Sequence, residues 1–429
     1  MSNPLKIAVA GLGTVGASTV KVLQEHAGLI EQRCGRRIEV TAVSARVHSR
    51  DRGVDLSGVR WFEDAVAMAA APDIDVVVEV IGGSGGVAKA VCETALECGR
   101  HVVTANKALL AVHGTDLART AESKGLALAF EAAVAGGIPV IKGLREGLAG
   151  NRVKEVHGIL NGTCNYILTE MRTKGLDFGE VLVDAQKKGY AEADPTFDVD
   201  GIDAAHKLAV LASVAFGTAV DFKSVHIEGI RKVSALDIEY AQELGYRIKL
   251  LCIARKTGKG LEQRVHPCMV PIDSAIGSVE GVFNAVVADG DFVDKVVLIG
   301  RGAGAGPTAS AVVADLIDVA RGRVLPTFGV PATQLSGLPA APISERKGAY
   351  YIRLMVKDQV GVLAEVASAL ADQGVSIEKF MQRGRDPGGL VPVVLTTHDT
   401  VEAAMQSGLD TIGRLDAVEE TCMIRIEPF

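Results

Sequence analysis

Lys6-Ile7-Ala8-Val9-Ala10, followed at once by Gly11-Leu12-Gly13-Thr14-Val15-Gly16, decides how the first part of this chain folds. A β-branched run, a glycine-spaced turn and a helical pattern stand in the order strand, turn, helix, the context in which GxGxxG has a mechanical meaning. The glycines permit a tight turn and close approach of the backbone, and the helix N-terminus faces a pyrophosphate. The motif alone is weak; in this context it reads as a dinucleotide site contacted by Gly11, Gly13, Thr14, Val15 and Gly16.

Working outward, Ile38–Val43, Asp75–Ile81, His101–Thr104 and Ala127–Glu131 read as further strands separated by helix-length segments. That alternation predicts a parallel, doubly wound α/β sheet of Rossmann type over residues 1–135. Ligands bind at the carboxyl ends of such strands, so Gly82 and Thr104 join the expected cofactor contacts. No acidic residue stands between Ser44 and Arg46 to bond a ribose 2′-hydroxyl; Arg46 itself ends the second strand, with His48, Arg50 and Arg52 following. An arginine there accepts a 2′-phosphate, which favours NADP over NAD; the other reading is ordinary solvated loop charge.

From about Asn151 longer strand candidates, Val153–Leu160, Phe222–Ile227 and Ile248–Ala254, mix with helices and predict an α+β domain over 136–322. Lys295–Gly300 is a further strand, and the glycine-rich loop Arg301–Gly306 leads into a helix, Thr308–Ala320, expected to return to the first domain. Residues 323–347 carry prolines 326, 331, 339 and 342 without a period and read as a linker. Over 348–429, Tyr350–Lys357, Gly361–Gln373, Val375–Gln382, Leu390–Thr397, Thr400–Asp410 and Ala417–Ile426 give the order βαββαβ, a ferredoxin-like half-sandwich. A length of 429 residues fits about three such units.

Composition narrows the function. Hydrophobic residues make up 48% and charged residues 23%, a globular profile, and a net charge of −7 argues against a nucleic-acid surface. No cationic and apolar leader opens the chain and no apolar run reaches roughly 18 residues, so a soluble cytoplasmic protein with no membrane partner is expected. The seven cysteines stand without CxxC pairing, which suggests neither a zinc ribbon nor a disulfide framework.

The most informative stretch for chemistry is Gly189-Tyr190-Ala191-Glu192-Ala193-Asp194-Pro195-Thr196-Phe197-Asp198-Val199-Asp200-Gly201-Ile202-Asp203-Ala204-Ala205-His206-Lys207, in which five acids precede one lysine. Asp203 and Lys207 are four apart on a helix expected from near Gly201, so they share a face. Alone this is a routine helix pair. The acids upstream, in an unperiodic loop with no packing reason to carry them, fit a polar small-molecule substrate. A lysine on a partly apolar face can relay a proton to or from a hydroxyl while hydride goes to the cofactor. Lys107, in Thr104-Ala105-Asn106-Lys107, is a second candidate proton carrier or carbonyl holder; the alternative is a surface lysine at a helix start, an end that disfavours cations.

These residues together resemble the homoserine dehydrogenase family, whose members reduce L-aspartate 4-semialdehyde to L-homoserine. The resemblance spans essentially the whole chain and rests on Gly11–Gly16, Thr104–Lys107, Asn161-Gly162-Thr163-Cys164-Asn165-Tyr166-Ile167 and the spacing Asp194-Pro195, Asp198, Gly201, Asp203, Lys207. It implies Lys207 as proton donor with Lys107 its helper, Glu192 and Asp203 on the amino group and hydroxyl, Asp198 in support, and Thr163 and Tyr190 lining the pocket. It implies Gly189, Gly302 and Gly304 near the nicotinamide, and a monovalent cation, Na+ or K+, held largely by backbone at Glu131, Val134, Gly136 and Ile138. The C-terminal unit resembles an ACT domain, whose contacts for an amino acid, L-threonine by likeness, would be Asp358, Gly361, Val362 and Leu363. A monofunctional, feedback-regulated homodimer or homotetramer serving threonine, methionine and isoleucine biosynthesis is what this implies. Two alternatives stand beside it: a semialdehyde dehydrogenase using Cys164 as nucleophile, and a non-catalytic amino-acid sensor.

Overall fold

The computed structural model describes residues 3–384 and 386–429. Its first sheet has six parallel strands, β1 (Leu5–Ala10), β2 (Ile38–Ser44), β3 (Arg60–Phe62), β4 (Val76–Glu79), β5 (His101–Thr104) and β6 (Leu128–Ala129), in the order β3-β2-β1-β4-β5-β6. Strand order reverses between β1 and β4, which opens a crevice at their carboxyl ends. Val76, Val77 and Val78 of β4 are fully buried, as a strand covered on both faces requires. Helices α1 (Thr14–Glu25), α2 (Ala27–Cys34), α3 (Ala65–Ala69), α4 (Gly86–Glu97) and α5 (Lys107–Ser123) flank the sheet. The short β3 had no strand signal, and the expected strand Ala127–Glu131 shrinks to two residues because Glu131 begins a 3-10 turn, Glu131–Ala133.

A short helix α6 (Val140–Lys142) runs into a π-helical turn, Gly143–Gly147. There follow β7 (Val153–Ile159), α7 (Gly162–Lys174), α8 (Phe178–Lys187), α9 (Thr196–Val199), α10 (Ile202–Phe216), β8 (His226–Ile227), α11 (Ala235–Glu243), β9 (Tyr246–Thr257), β10 (Gly260–Pro271), β11 (Phe283–Gly290), β12 (Asp294–Arg301) and α12 (Ala305–Ala320). Of the expected strand Phe222–Ile227 only the last two residues pair; Phe222 instead packs its ring 4.2 Å from that of His206. Helix α10 is buried on nearly every side, with Ala204, Ala205, Leu208, Val210 and Leu211 in the core, so its polar residues Asp203 and Lys207 are held rigidly. Helix α12 returns to the first sheet, where Ala311, Val312 and Leu316 cover Leu5, Ile7, Val9, Val76 and Val78.

The last unit is β13 (Lys347–Lys357), α13 (Val362–Ala371), β14 (Ile377–Gln382), β15 (Leu390–Thr397), β16 (Thr400–Val401), α14 (Glu402–Ile412) and β17 (Val418–Ile426). Its sheet does not stand apart. Strand β17 pairs in parallel with β10 through Cys268↔Arg425 and Met269↔Ile426, giving one sheet in the order β12-β11-β7-β9-β10-β17-β13-β15-β14. Ion pairs seal this junction: Arg353 to Asp237 at 2.7 Å and Arg264 to Glu427 at 2.7 Å, both buried, and Arg425 to the half-exposed Glu228 at 2.8 Å. Residues 323–347 form a docked strap, with Phe328 buried against Phe130 and the Glu122 carboxylate accepting from the backbone N–H of Thr327 and Ala332. Among the described residues no helix is long and apolar enough to cross a membrane.

Candidate active site

The three glycines of the first loop do different work. Gly11 has φ +101°, and a Cβ there would lie 2.8 Å from the Val80 carbonyl oxygen; a Cβ on Gly16 would lie 1.9 Å from the carbonyl oxygen of Gly11. Gly13 has open space around it. The first and third glycines are thus demanded by the protein's own packing, and the middle one leaves the backbone bare toward a cleft of about 870 Å³. That cleft runs from Gly11 and Gly13 past Ser44 to Arg46 and Arg50. Arg52 is spent on the loop itself, donating to the Leu12 carbonyl at 3.2 Å and to the Arg50 carbonyl at 2.6 Å, whereas the side chains of Arg46 and Arg50 make no hydrogen bond or ion pair among the described residues. Thr14 is exposed at the start of α1 and Val15 is half-buried beside it.

A second cleft, about 280 Å³, continues from the first and brings Val15, Gly82, Asn106, Lys107, Gly136, Lys207, Gly302 and Gly304 together. Its floor is organised by Glu79, which is fully buried and accepts from the N–H of Ile81 at 2.8 Å and of Gly82 at 3.1 Å and from the Thr104 hydroxyl at 2.6 Å. Thr104 also accepts from Asn106 N–H at 3.0 Å, so it orders the loop and is buried away from the cleft. Asn106 caps α5 through Leu109 N–H and donates to the Gly83 carbonyl at 2.8 Å.

Lys107 then opens α5, where the helix dipole opposes a cation. Asp203 compensates: its Oδ1 lies 3.3 Å from Lys107 Nζ while its Oδ2 accepts from Lys207 Nζ at 2.7 Å. Lys207 also donates to the Leu160 carbonyl at 2.8 Å. Burial pushes the Asp203 carboxyl up, but Lys207 and Lys107, with hydrogen bonds from Lys207 and Asn161, bring it down to about 2. Asp198 is held above the usual carboxylate range by burial, against the Asn161 hydrogen bond, with Asp203 adding to the rise. Two ammonium groups locked to one carboxylate at the mouth of this cleft are equipped to hold a carbonyl or hydroxyl and pass it a proton.

Of the other expected substrate residues, Tyr190 and Glu192 lie on the loop after α8 and Thr163 in the first turn of α7. Thr163 donates to the Tyr190 carbonyl at 2.8 Å, and the Tyr190 ring, half exposed, packs 4.7 Å from that of Tyr166. Gly189 turns at φ +75°. Glu192 is exposed with no side-chain partner among the described residues, so the structure does not bring it against the lysines. Its backbone carbonyl and that of Ala193 are tied by Gln186.

With the geometry in hand, three family models match consecutive parts of the chain: "Homoserine dehydrogenase, NAD binding domain" over residues 11–131, "Homoserine dehydrogenase" over 139–317 and "ACT domain" over 350–413. The homoserine dehydrogenase of Pseudomonas aeruginosa is 49% identical over 424 residues, covering 97% of this chain and 96% of its own. The crystal structure of a homoserine dehydrogenase from Thiobacillus denitrificans superposes with a TM-score of 0.93 at 44% identity, covering 99% of each chain. The chain belongs to the homoserine dehydrogenase family. A hyperthermophilic archaeal homoserine dehydrogenase in complex with NADPH is also similar, with a TM-score of 0.62 at 27% identity over 73% of this chain and 97% of that one.

As a member of the homoserine dehydrogenase family the chain is an oxidoreductase with an NAD(P)-binding domain and an ACT domain, the kind of module that binds amino-acid effectors. The thiol-nucleophile alternative is corrected by the same geometry. Cys164 is fully buried in α7, its Sγ directed at the Asp198 carbonyl at 3.3 Å, and burial, with Asp198 and Asp203, raises the thiol well above its ordinary value. A thiol so placed is inert as a nucleophile. The non-catalytic sensor alternative is likewise disfavoured by full-length similarity to homoserine dehydrogenases.

Glu131 is buried and accepts from the N–H of Ile141 and Lys142, both at 2.9 Å; burial, with Asp315 beside it, raises its carboxyl to about 7. The next turn places Ala135 at φ +56° and Gly136 at φ +48°, and the carbonyls of Val134 and Gly136 accept no hydrogen bond among the described residues, whereas that of Ile138 accepts from Val140 N–H at 2.8 Å. In the ACT unit Asp358 directly follows β13, at the start of the turn, and its carboxylate accepts from Asp386 N–H at 3.0 Å. Gly361 caps α13 at φ +98°, Val362 is buried beneath it and Leu363 is exposed.

Three residues that organise this site were not singled out from the sequence: Glu79, Asn106 and Asn161. Asn106 and Asn161 are helix N-caps, legible as such, but the partners that give all three their importance lie tens of residues away.

Proposed function

We propose that this chain reversibly reduces L-aspartate 4-semialdehyde to L-homoserine, with NADP preferred to NAD, as a cytoplasmic enzyme of threonine, methionine and isoleucine biosynthesis. The observation that carries the reading is the Lys107–Asp203–Lys207 array at the cleft shared with Gly82, Gly302 and Gly304. When bound, the reduced nicotinamide supplies the hydride. Lys207 donates the proton to the carbonyl oxygen as it becomes a hydroxyl, Lys107 polarises the same oxygen, and Asp203 orients both ammonium groups. Glu192, on its exposed loop, meets the substrate ammonium, with Asp198, Thr163 and Tyr190 around it. Gly11, Gly13 and Gly16, with the N-terminus of α1 at Thr14 and Val15, fit a pyrophosphate, and Arg46 supports the 2′-phosphate reading.

The same reading divides the chain into a cofactor domain over 1–135 completed by α12, a substrate and dimerisation domain over 136–322, a linker over 323–347 and an ACT domain over 348–429. Buried carbonyls without donors are costly, so those of Val134 and Gly136 fit a monovalent cation, with Glu131 and Ile138 beside it. L-Threonine is the proposed effector, at Asp358, Gly361, Val362 and Leu363. A second copy of the chain would cover the outer strand β12, where Val297 and Ile299 are exposed near Phe283, Phe292 and Val293.

Oxidation of L-homoserine, followed as reduced cofactor with NADP and separately with NAD, tests the proposal. The parent turns over faster with NADP at low cofactor concentration, and Lys207→Ala loses roughly 10²–10⁴ in rate while retaining cofactor binding. No turnover by the parent in either direction with either cofactor sinks it.

A further inference from the structure

Asn161 sits in the turn between β7 and α7, buried, and its carboxamide works in two directions at once. Oδ1 accepts from Cys164 N–H at 2.8 Å and caps α7. Nδ2 donates to Asp198 Oδ1 at 2.8 Å and to Asp203 Oδ2 at 2.9 Å. A carboxamide nitrogen has two hydrogens, and each is taken by a different carboxylate. The orientation is dictated by the network, because the flipped amide would set its oxygen against two carboxylates and its N–H₂ against an N–H.

We infer that Asn161 is a positioning residue of the hydride-transfer site: by tying Asp198 to Asp203 it fixes the rotation of the Asp203 carboxylate, so that Oδ2 meets Lys207 and Oδ1 meets Lys107. A helix cap needs one acceptor, and Ser, Thr or Asp supplies it as well as Asn; only Asn adds donors on the far side. Without that donor two buried carboxylates face each other and repel. Asp203 would then swing about its Cα–Cβ bond and carry the two ammonium groups out of register with the cleft, and displacements on that scale are costly in rate. The inference rests on the reading of Lys207 and Lys107 as the proton-handling pair.

The test separates the cap from the clamp. Asn161→Asp keeps the capping oxygen but replaces the donor by a third carboxylate oxygen. It is expected to fold with a lower melting temperature, because it buries a further negative charge, to keep the parent's KM for NADP, and to lose roughly 10- to 100-fold in kcat for homoserine oxidation. The ratio of variant to parent kcat should rise as the pH is lowered from about 8 toward 6, because a proton on the new carboxyl restores one of the two hydrogen bonds. Asn161→Ser, which also caps, should show a comparable kcat loss with a flat ratio across the same range. Parent-like kcat in either folded variant, or a loss in Asn161→Asp that is unchanged by pH, overturns the inference. Lys207→Ala run beside them keeps the two claims apart. If it retains turnover, the lysine reading falls; if it loses turnover while Asn161→Asp keeps it, only the role of Asn161 falls.

Discussion

Asp203 and Asp237 are both carboxylates buried against cations, yet their surroundings end differently. Asp237 takes Arg353 at 2.7 Å, the Tyr351 hydroxyl at 3.1 Å and the Ser234 hydroxyl at 2.6 Å, and Arg353 spends another nitrogen on Glu420 at 2.9 Å. Every strong partner in that cluster is supplied from within, across the junction of α11 with β13. Asp203 is as fully satisfied, by Lys207, Lys107 and Asn161, but its two lysines line an open cleft. An ammonium has three donors, and Lys207 commits only two among the described residues. Burial and charge are common to both clusters; what marks the working one is a donor left over on the side where a ligand can stand.

Lys207→Ala, with its rate loss of roughly 10²–10⁴, is the largest effect the contrast demands, and it should fall on kcat with the fold retained. Arg353→Met should do the reverse. It strands Asp237 without its cation, costing about 3–5 kcal/mol in urea unfolding, while kcat of the folded fraction stays near the parent's. A rate loss in Arg353→Met matching that of Lys207→Ala, without lost stability, would break the distinction.

Glu131 sharpens it from a third position, since burial, with the neighbouring Asp315, raises its carboxyl against the pull of the two backbone N–H groups that meet its oxygens. Its folded value of about 7 lies above the ordinary 4.5, so its contribution to stability is complete below about pH 4.5 and is lost as the pH rises through about 7. Thermal melts should therefore fall across that window, less steeply in Glu131→Gln, and added K+ or Na+ should raise the parent's melting temperature most at the alkaline end. Asp203 runs the other way: held down at about 2, it stabilises the fold above its ordinary 3.8, and this is lost only as the pH drops toward 2. The smallest effect belongs to Cys164→Ser. A hydroxyl can still donate to the Asp198 carbonyl, so kcat should stay near the parent's, with about 1 kcal/mol lost in stability.

The sequence reveals what is local and periodic. The strand, turn and helix around Gly11–Gly16 and the four-residue step from Asp203 to Lys207 are written in consecutive residues, and both are found as read. Strand β10 is the counterexample. Gly260–Pro271 carries Glu262, Arg264, His266 and Pro267, which reads as neither alternation nor a buried run, yet it lies between β9 and β17. Its charges are admissible there because Glu427, more than 160 residues on, meets Arg264 at 2.7 Å. Glu79 was illegible for the same reason: a valine-rich strand ending in glutamate looks like a strand with a solvated end until Thr104 and Asn106 arrive around it. Partners distant in sequence leave no trace in spacing.

Helix α12 closes the face of the first sheet with residues 305–320, and Asp315 accepts from Glu131 N–H across 184 positions of chain. On the ribosome the valine-rich face of β1 and β4 therefore emerges long before its cover. At synthesis rates of about 5–20 residues per second, that face waits on the order of ten seconds or more, a long exposure beside collapse times below a millisecond. The strands of that sheet are thus translated well before the helix that covers them, and their apolar face stays open in the interval.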